Sequence, residues 1–414
     1  MQQSLNNEYV NYMGTRQVAD GIAYLVGDER ILEKMSDVPV RKPFDEEIVE
    51  FLDALSKKIR KNADAKSYSD VVTLCFWMRK ASILQMKEKY MREDGNLYVG
   101  RGVAFHIAPS NVPINYMYSL ILGLLAGNAN IVRIPSKDFP QVSIINQAMR
   151  DTLNVFEGIK PYICLIRYGR ERRINDYLSR MADVRIVWGG DNTIDEIRKS
   201  YIGPRTTEVT FADRYSLAII DSDLYMKNQN KERLAEEFYN DTFLNDQNAC
   251  TSPRIVVWTG TRKQEAKECF WSLEHILVEQ KYAYQPIMGI NKLTSSYLTA
   301  VALEGAEVIE SEDNLIYRIA LKGVDASIMD LKDNSGYFLE YDCDDIMELQ
   351  PLCNNTHCQT IGFFGEKENI MPLLSSGIRG VDRVVPIGKT MDFDFIWDGY
   401  NLMERLTRTI SISI

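Results

Sequence analysis

From Tyr98 onward the chain alternates short apolar runs with longer amphipathic stretches, and no other feature limits its fold so tightly. Tyr98–Ile107 alternates as a strand, a proline-punctuated turn follows at Pro109–Pro113, and Ile114–Ala126 reads as a buried helix that Gly127 stops. The cycle repeats as strand Asn130–Ile134, helix Val142–Phe156, strand Ile163–Tyr168, helix Glu171–Met181 and strand Val184–Trp188. Alternation at this spacing predicts a parallel sheet with helices on both faces, the α/β class. It resumes with strand Tyr215–Asp221, helix Glu232–Phe243, strand Arg254–Thr259 and helix Gln264–Val278, so two α/β lobes are expected, dividing near Asp221. Ahead of them, Glu46–Arg60 sets Ile48, Phe51, Leu52 and Leu55 at helical spacing, and Val71–Gln85 reads as a second apolar helix. A length of 414 residues suits two domains better than one core.

Composition removes several function classes. With 48 Lys+Arg against 58 Asp+Glu the net charge is −10, the opposite of a basic nucleic-acid face. The most apolar run, Met117–Gly127, is about half of the roughly 20 residues a membrane span needs. The opening MQQSLNNEYV has neither the basic nor the apolar region of a secretion signal. The seven cysteines are odd in number and scattered, with no C-x-x-C pair, which fits reduced thiols in the cytoplasm. Cys343, Cys353, His357 and Cys358 lie close together, but their spacing matches no usual zinc pattern, so no metal is expected. The dinucleotide fingerprint G-x-G-x-x-G is absent, and Gly388-Lys389-Thr390 lacks the first glycine of a phosphate loop, Arg383 standing there.

Three segments remain that could carry chemistry: Ile107–Ser136, Val184–Asp191 with its terminal Gly189-Gly190, and Asn245–Arg254 with Cys250. Singly, each has an ordinary explanation. Asn111 between prolines can be a turn residue bonding its own backbone, the glycine pair a strand-to-helix turn, and Cys250 a small buried hydrophobe.

Their order and spacing are more specific. Pro109-Ser110-Asn111-Val112-Pro113, Gly127-Asn128, Pro135-Ser136, Trp188-Gly189-Gly190 and Gln247-Asn248-Ala249-Cys250 together resemble the aldehyde dehydrogenase superfamily. Gly377–Leu402 resembles the C-terminal region of its LuxC-type fatty acyl-CoA reductase branch. The resemblance runs from about Tyr98 to the end of the chain. It implies two Rossmann-like parallel-sheet lobes and a C-terminal oligomerisation strand. The expected division is residues 1–220 for NADP(H) binding with a helical N-terminal region, 221–389 for catalysis, and 390–414 for a C-terminal arm.

The same resemblance implies an NADPH-dependent reductase that converts an acyl thioester to an aldehyde. Cys250 would be the nucleophile, and the Asn111 side chain and the Cys250 backbone N–H would receive the oxyanion. Hydrolytic members of the superfamily carry a glutamate base where this chain has Phe211, and Glu208 would need a gap to replace it. Its absence favours thioester reduction over aldehyde oxidation. The alternatives are a non-acylating aldehyde dehydrogenase and a catalytically silent partner that channels acyl groups. Cofactor contacts are implied at Pro109, Ser110, Arg133, Ser136, Lys137, Gly189, Gly190 and Glu348. Aligned on Gly127-Asn128, Arg133 takes the family lysine's place; aligned on Pro135, Lys137 replaces the acidic residue that contacts the adenosine ribose. Either places positive charge near a 2′-phosphate, hence NADPH over NADH. The expected partners are acyl-CoA or an acyl-carrier protein, an acyl-activating enzyme, and further copies of the chain. Thr407–Ile414 alternates like an exposed strand and would serve that last contact.

Overall fold

We describe the protein from a computed structural model over residues 21–414, with 111, 310 and 312 excepted. Two compact units emerge, one running to Ala212 and reclaiming Tyr400–Ile414, the other comprising Asp213–Gly399.

The first unit is built on β1 (Ala23–Val26), β3 (Val103–Ile107), β4 (Ala129–Arg133), β5 (Ile163–Arg167), β6 (Val184–Trp188) and β7 (Thr207–Phe211), while β2 (Leu97–Gly100) stands apart. The sheet runs β1-β5-β4-β3-β6-β7, parallel except for β1. Every residue of β3 and of β6 is buried. That is the signature of strands covered on both faces, which need apolar residues at successive positions rather than at alternate ones. Two polar residues interrupt these runs and both find partners. His106 is held by Ser119 Oγ at 2.7 Å and Asn130 Oδ1 at 3.0 Å. Arg185 donates to Glu208, to Ser179 Oγ and to the carbonyls of Ile197 and Ser200. Because β4 and β5 lie to one side of β3 and β6 and β7 to the other, the winding reverses between β3 and β6. The carboxyl end of such a reversal is where open α/β sheets receive ligands.

Two expected elements are divided. Tyr98–Ile107 was expected as one strand, but the chain bends at Gly102, whose φ of 141° is open to glycine; a Cβ there would fall 2.0 Å from Asp183 Oδ2. Asn128 Oδ1 accepts the Arg101 and Gly102 N–H groups at 2.7 and 3.2 Å, and its Nδ2 donates to Leu406 O at 2.9 Å. One buried side chain thus fixes both the bend and the returning C-terminal arm. The expected second helix is also two, Ser69–Trp77 and Lys80–Tyr90, with Asp53 Oδ1 accepting the freed Lys80 N–H at 3.0 Å. The C-terminal strand Thr407–Ile410 pairs antiparallel with β2 of its own chain.

The second unit carries β8 (Tyr215–Asp221), β9 (Pro253–Thr259), β10 (Glu307–Ile309), β11 (Tyr317–Leu321), β12 (Tyr337–Asp342), β13 (Cys358–Phe364) and β14 (Arg383–Pro386). Its order is β10-β11-β12-β9-β8-β13-β14, parallel except for β10. Along β8, Leu217 and Ile219 join one core while Ala218 and Ile220 join the other, the two-residue period dividing the strand between two layers. The second layer is aromatic, with Phe238, Trp258, Phe270, Trp271 and Phe338 in mutual ring contact. The chain crosses between units at Ala212–Asp213, ahead of the expected boundary, because β8 is laid between β9 and β13 of the second sheet. Among the described residues, no helix is long and apolar enough to cross a membrane.

Candidate active site

Two sets of residues stand out, one in each unit. In the first unit, Pro109 and Ser110 follow β3, Ser136 and Lys137 follow β4 after its last residue Arg133, and Gly189 and Gly190 follow β6. The structure therefore brings these sequence-distant residues to the carboxyl ends of three adjacent parallel strands, astride the reversal. Gly189 donates its N–H to Phe211 O at 3.1 Å, and a Cβ there would lie 3.0 Å from Thr193 Cγ2, so bulk at this turn is resisted. Gly190 caps the helix Asp191–Arg198 with backbone alone, its carbonyl accepting the Thr193 and Ile194 N–H groups at 2.8 and 3.1 Å. A helix start so arranged suits an anion such as a pyrophosphate. Arg133 lies over the Tyr168 ring at 4.6 Å and donates to Gly169 O at 3.2 Å; Lys137 lies over Phe139 at 4.8 Å. Backbone groups at the turn after β6 and the two cations at the end of β4 are a donor set that fits the phosphates of a dinucleotide.

The position opposite the missing base is filled by an aromatic pair. Phe211 stacks on Trp188 with centroids 3.6 Å apart. Glu208 is engaged elsewhere: its oxygens accept from Arg185 Nε and Arg198 Nε, both at 2.8 Å. Burial would raise its carboxyl, but the hydrogen bonds and charges of Arg198 and Arg185 prevail and hold it below the usual carboxylate range. It has no spare oxygen with which to activate water.

In the second unit, Cys250 is the exposed thiol among the seven, Cys269 being intermediate and the others buried. Cys343, Cys353 and Cys358 belong to one apolar core. The loop before Cys250 is forced. Asp246 and Gln247 have φ of 55° and 58°, two successive non-glycine residues in the left-handed region, each costing roughly 1–3 kcal/mol. Gln247 holds them there. Its Nε2 donates to Pro253 O at 3.0 Å and Tyr337 O at 3.1 Å, and its Oε1 accepts from Gly336 N at 2.8 Å and Tyr337 N at 3.1 Å. Below it, Ser216 Oγ donates to Cys250 O at 2.8 Å. The glutamine of the Q-x-C segment is thus the clamp that fixes the cysteine.

Arg214, Arg254, Lys332 and Arg383 all fall within electrostatic reach of the sulfur. Burial, and after it the charge of Asp398, nevertheless pushes the thiol up to about 11 against a hydrogen bond from Gln359, the Cys250 N–H and Arg214. Cys250 reaches solvent while dense surrounding protein desolvates its sulfur, as in a recess. At rest it is a thiol. Arg214, Gln359, Asp382 and Asp398 carried no signal in the sequence; what joins them is that Arg214, Cys250 and Asp382 precede β8, β9 and β14 and Gln359 lies at the start of β13, the amino ends of one parallel sheet.

Two expected site residues stand apart. Asn111 lies outside the described residues. Glu348 belongs to a capping box: Oε1 accepts from Asp345 N at 3.0 Å and Oε2 from the Tyr341 hydroxyl, so both oxygens are occupied.

A family model described as acyl-CoA reductase (LuxC) matches residues 23–409. The chain is 23% identical over 328 residues to a long-chain acyl-protein thioester reductase of Aliivibrio fischeri, covering 77% of this chain and 66% of that one. It is 21% identical to the Photorhabdus luminescens protein of the same name, over 75% of this chain and 64% of that one. The chain thus spans just under two thirds of the length of these relatives. In fold it matches an oxidoreductase from Marinobacter aquaeolei (TM-score 0.65, 12% identity, 92% and 89% of the two chains). It also matches aldehyde dehydrogenase 21 of Physcomitrella patens in complex with succinate (TM-score 0.65, 12% identity, 92% and 89% covered). A third match is NADP-dependent glyceraldehyde-3-phosphate dehydrogenase from Bacillus halodurans complexed with NADP (TM-score 0.62, 15% identity, 92% and 89% covered).

Proposed function

Since the chain belongs to the LuxC acyl-CoA reductase family, we propose that it reduces an acyl thioester to the aldehyde through an acyl group carried on Cys250. The observation that carries this reading is the thiol itself, accessible and held by a strained loop that the Gln247 amide pins. Strain maintained by a dedicated clamp marks a functional position better than it marks a packing cysteine.

The sulfur attacks the thioester carbonyl, and the carrier leaves as a thiol, taking the proton that Cys250 gives up. The Cys250 N–H, with Asn111 as the second donor, receives the oxyanion. Pro109, Ser110, Arg133, Ser136, Lys137, Gly189 and Gly190 would hold a nicotinamide dinucleotide, which would supply the hydride. Glu348 joins the cofactor contacts only by releasing an oxygen from its capping box. The same sulfur is then expelled as the aldehyde forms. Since Phe211 stands in the base position and Glu208 is bound to two arginines, no carboxylate of β7 directs water at the acyl-enzyme, and the acyl group survives for reduction.

The cofactor we propose is NADPH, on the charge of Arg133 and Lys137. The donor is an acylated protein, as the relatives' name states for them, or acyl-CoA. The arm Thr407–Ile414 is proposed to join copies of the chain into a homo-oligomer. To test the reading, the protein is mixed with acyl-CoA esters and NADPH and loss of reduced cofactor is followed. Cys250→Ala is expected to lower the rate at least a thousandfold. Undiminished turnover by that variant overturns the nucleophile, and oxidation of aldehyde by NAD and water without a thiol acceptor overturns the reductase.

A further inference from the structure

Gln359 is wholly buried near the start of β13. Its amide nitrogen donates to Asp398 Oδ1. Ser216 Oγ, which donates to Cys250 O at 2.8 Å, receives the N–H of Thr360 at 3.3 Å, so Gln359 and Cys250 flank one hydroxyl and the amide faces the sulfur. A primary amide has two hydrogens, one for each partner. Its oxygen, by contrast, is buried without a partner. An orphaned acceptor costs roughly 1–3 kcal/mol, so something must hold the amide this way round. Asp398 does so. Turning the amide over would bring its oxygen against a carboxylate, and Asp398 is itself only 5% exposed, at a left-handed φ of 48°. A side chain so placed is fixed by its surroundings, not by its own backbone preference. The groups facing this carboxylate are Gln359, Arg214, Asp382, Arg383 and Cys250.

We propose that Gln359 is a catalytic residue, donating a hydrogen bond to the Cys250 sulfur as it becomes thiolate, and that Asp398 is the positioning residue that keeps the amide nitrogen turned toward it. The inference rests on Cys250 as the nucleophile and adds the group that receives its charge. The two residues act on the thiol in opposite senses. Gln359 lowers its pKa by bonding to the charged form; Asp398, as a nearby negative charge, raises it. Burial, working against Gln359 and Arg214, lifts Asp398 to about 6, so it is ionised throughout the range in which the thiol titrates.

The test is the pH dependence of iodoacetamide alkylation at Cys250 in the full chain, read by mass spectrometry of the peptide that contains it. Gln359→Met removes the donor at nearly constant volume and is expected to move the alkylation midpoint upward by about one pH unit, with roughly tenfold slower alkylation below it. Asp398→Asn keeps an oxygen for the Gln359 amide, removes the charge, and is expected to move the midpoint downward. Simple loosening of the site would expose the sulfur and speed alkylation in both variants, so opposite shifts distinguish the proposal from a structural role. Should Gln359→Met not fold, Gln359→Asn, whose amide is one methylene shorter, takes its place with the same upward shift expected, while Asp398→Asn, tolerated at the left-handed position, reads the charge. Midpoints that stay at the wild-type value, or move together, overturn the inference. Failure of the underlying reading looks different: Cys250→Ala would still reduce thioesters, whatever the alkylation profiles show.

Discussion

The first sheet offers its carboxyl edge and the second its amino edge, and the two edges are made of different material. At the first, the expected contacts are backbone groups at a glycine turn and a helix start, with cations resting on aromatic rings nearby. At the second, nearly everything is side chain: Cys250 on its loop, Gln247 beneath it, and Gln359, Asp398 and Arg214 around the sulfur. A backbone site tolerates most substitutions that leave the turn intact, whereas a side-chain site fails when a single amide is lost. Binding a common cofactor needs only the former. Bond making at sulfur needs the latter, because the charge must be met at one atom.

The sharpest way to break this contrast is Gln247→Leu. The substitution leaves the N–H groups of Gly336 and Tyr337 and the carbonyls of Pro253 and Tyr337 without the partners they have now, all in a buried place. We expect a loss on the order of 3–5 kcal/mol in urea unfolding. If the variant is assayed below its melting range, kcat should fall while the KM for NADPH stays put. Ser136→Ala at the opposite edge, being exposed, should stay within about 0.5 kcal/mol of wild type. Equal effects from the two substitutions would show that the edges do not differ as described.

The same contrast explains what could be read from the sequence. Strands covered on both faces appear as apolar runs, so β3, β4, β5, β6, β8 and β9 were visible, whereas the residues just after β3, β4 and β6 were marked by the family resemblance. The bend at Gly102 was not visible, because it depends on Asp183 and Asn128 meeting the chain from elsewhere. Cys250 and Gln247 were found through a local segment. Gln359 and Asp398 were not, since a lone glutamine beside Cys358 and an aspartate in a loop have no periodicity or spacing to mark them. Residues that meet because several strands begin at one edge leave no trace until the strand order is known. Glu348 shows the reverse case: a residue legible by resemblance whose oxygens are taken up in capping.

His106 tests whether the first unit, too, depends on a buried polar cluster. Ser119 Oγ bonds the ring at 2.7 Å and accepts Trp188 Nε1 at 2.9 Å, tying β3 to the helix Asn115–Leu125 and to the end of β6. Burial lowers the imidazole pKa to about 4, against a hydrogen bond with Asn130 that favours the charged form. The unfolded chain, near the ordinary 6.5, therefore takes up the proton first. Stability from this group is complete above about 6.5 and is lost as pH falls toward 4, by up to about 3 kcal/mol. His106→Gln should remove that part of the acid sensitivity, so the urea midpoints of wild type and variant should draw together on acidification. Parallel midpoints would mean that the ring is not held neutral.

The smallest expected effect concerns the cations at the first edge. Arg133 is oriented by the Tyr168 ring and Gly169 O, whereas Lys137 is exposed and lies over the Phe139 ring. Charges in contact with water interact weakly, about 1 kcal/mol at most for an exposed pair. Reversing one should matter more for the doubly charged 2′-phosphate of NADPH than for the neutral hydroxyl of NADH. Lys137→Glu is therefore expected to lower the ratio of kcat/KM for NADPH over NADH by roughly tenfold at low salt, and by less as salt screens the site. An unchanged cofactor ratio would make Lys137 an ordinary surface cation and leave Arg133 alone to account for any preference.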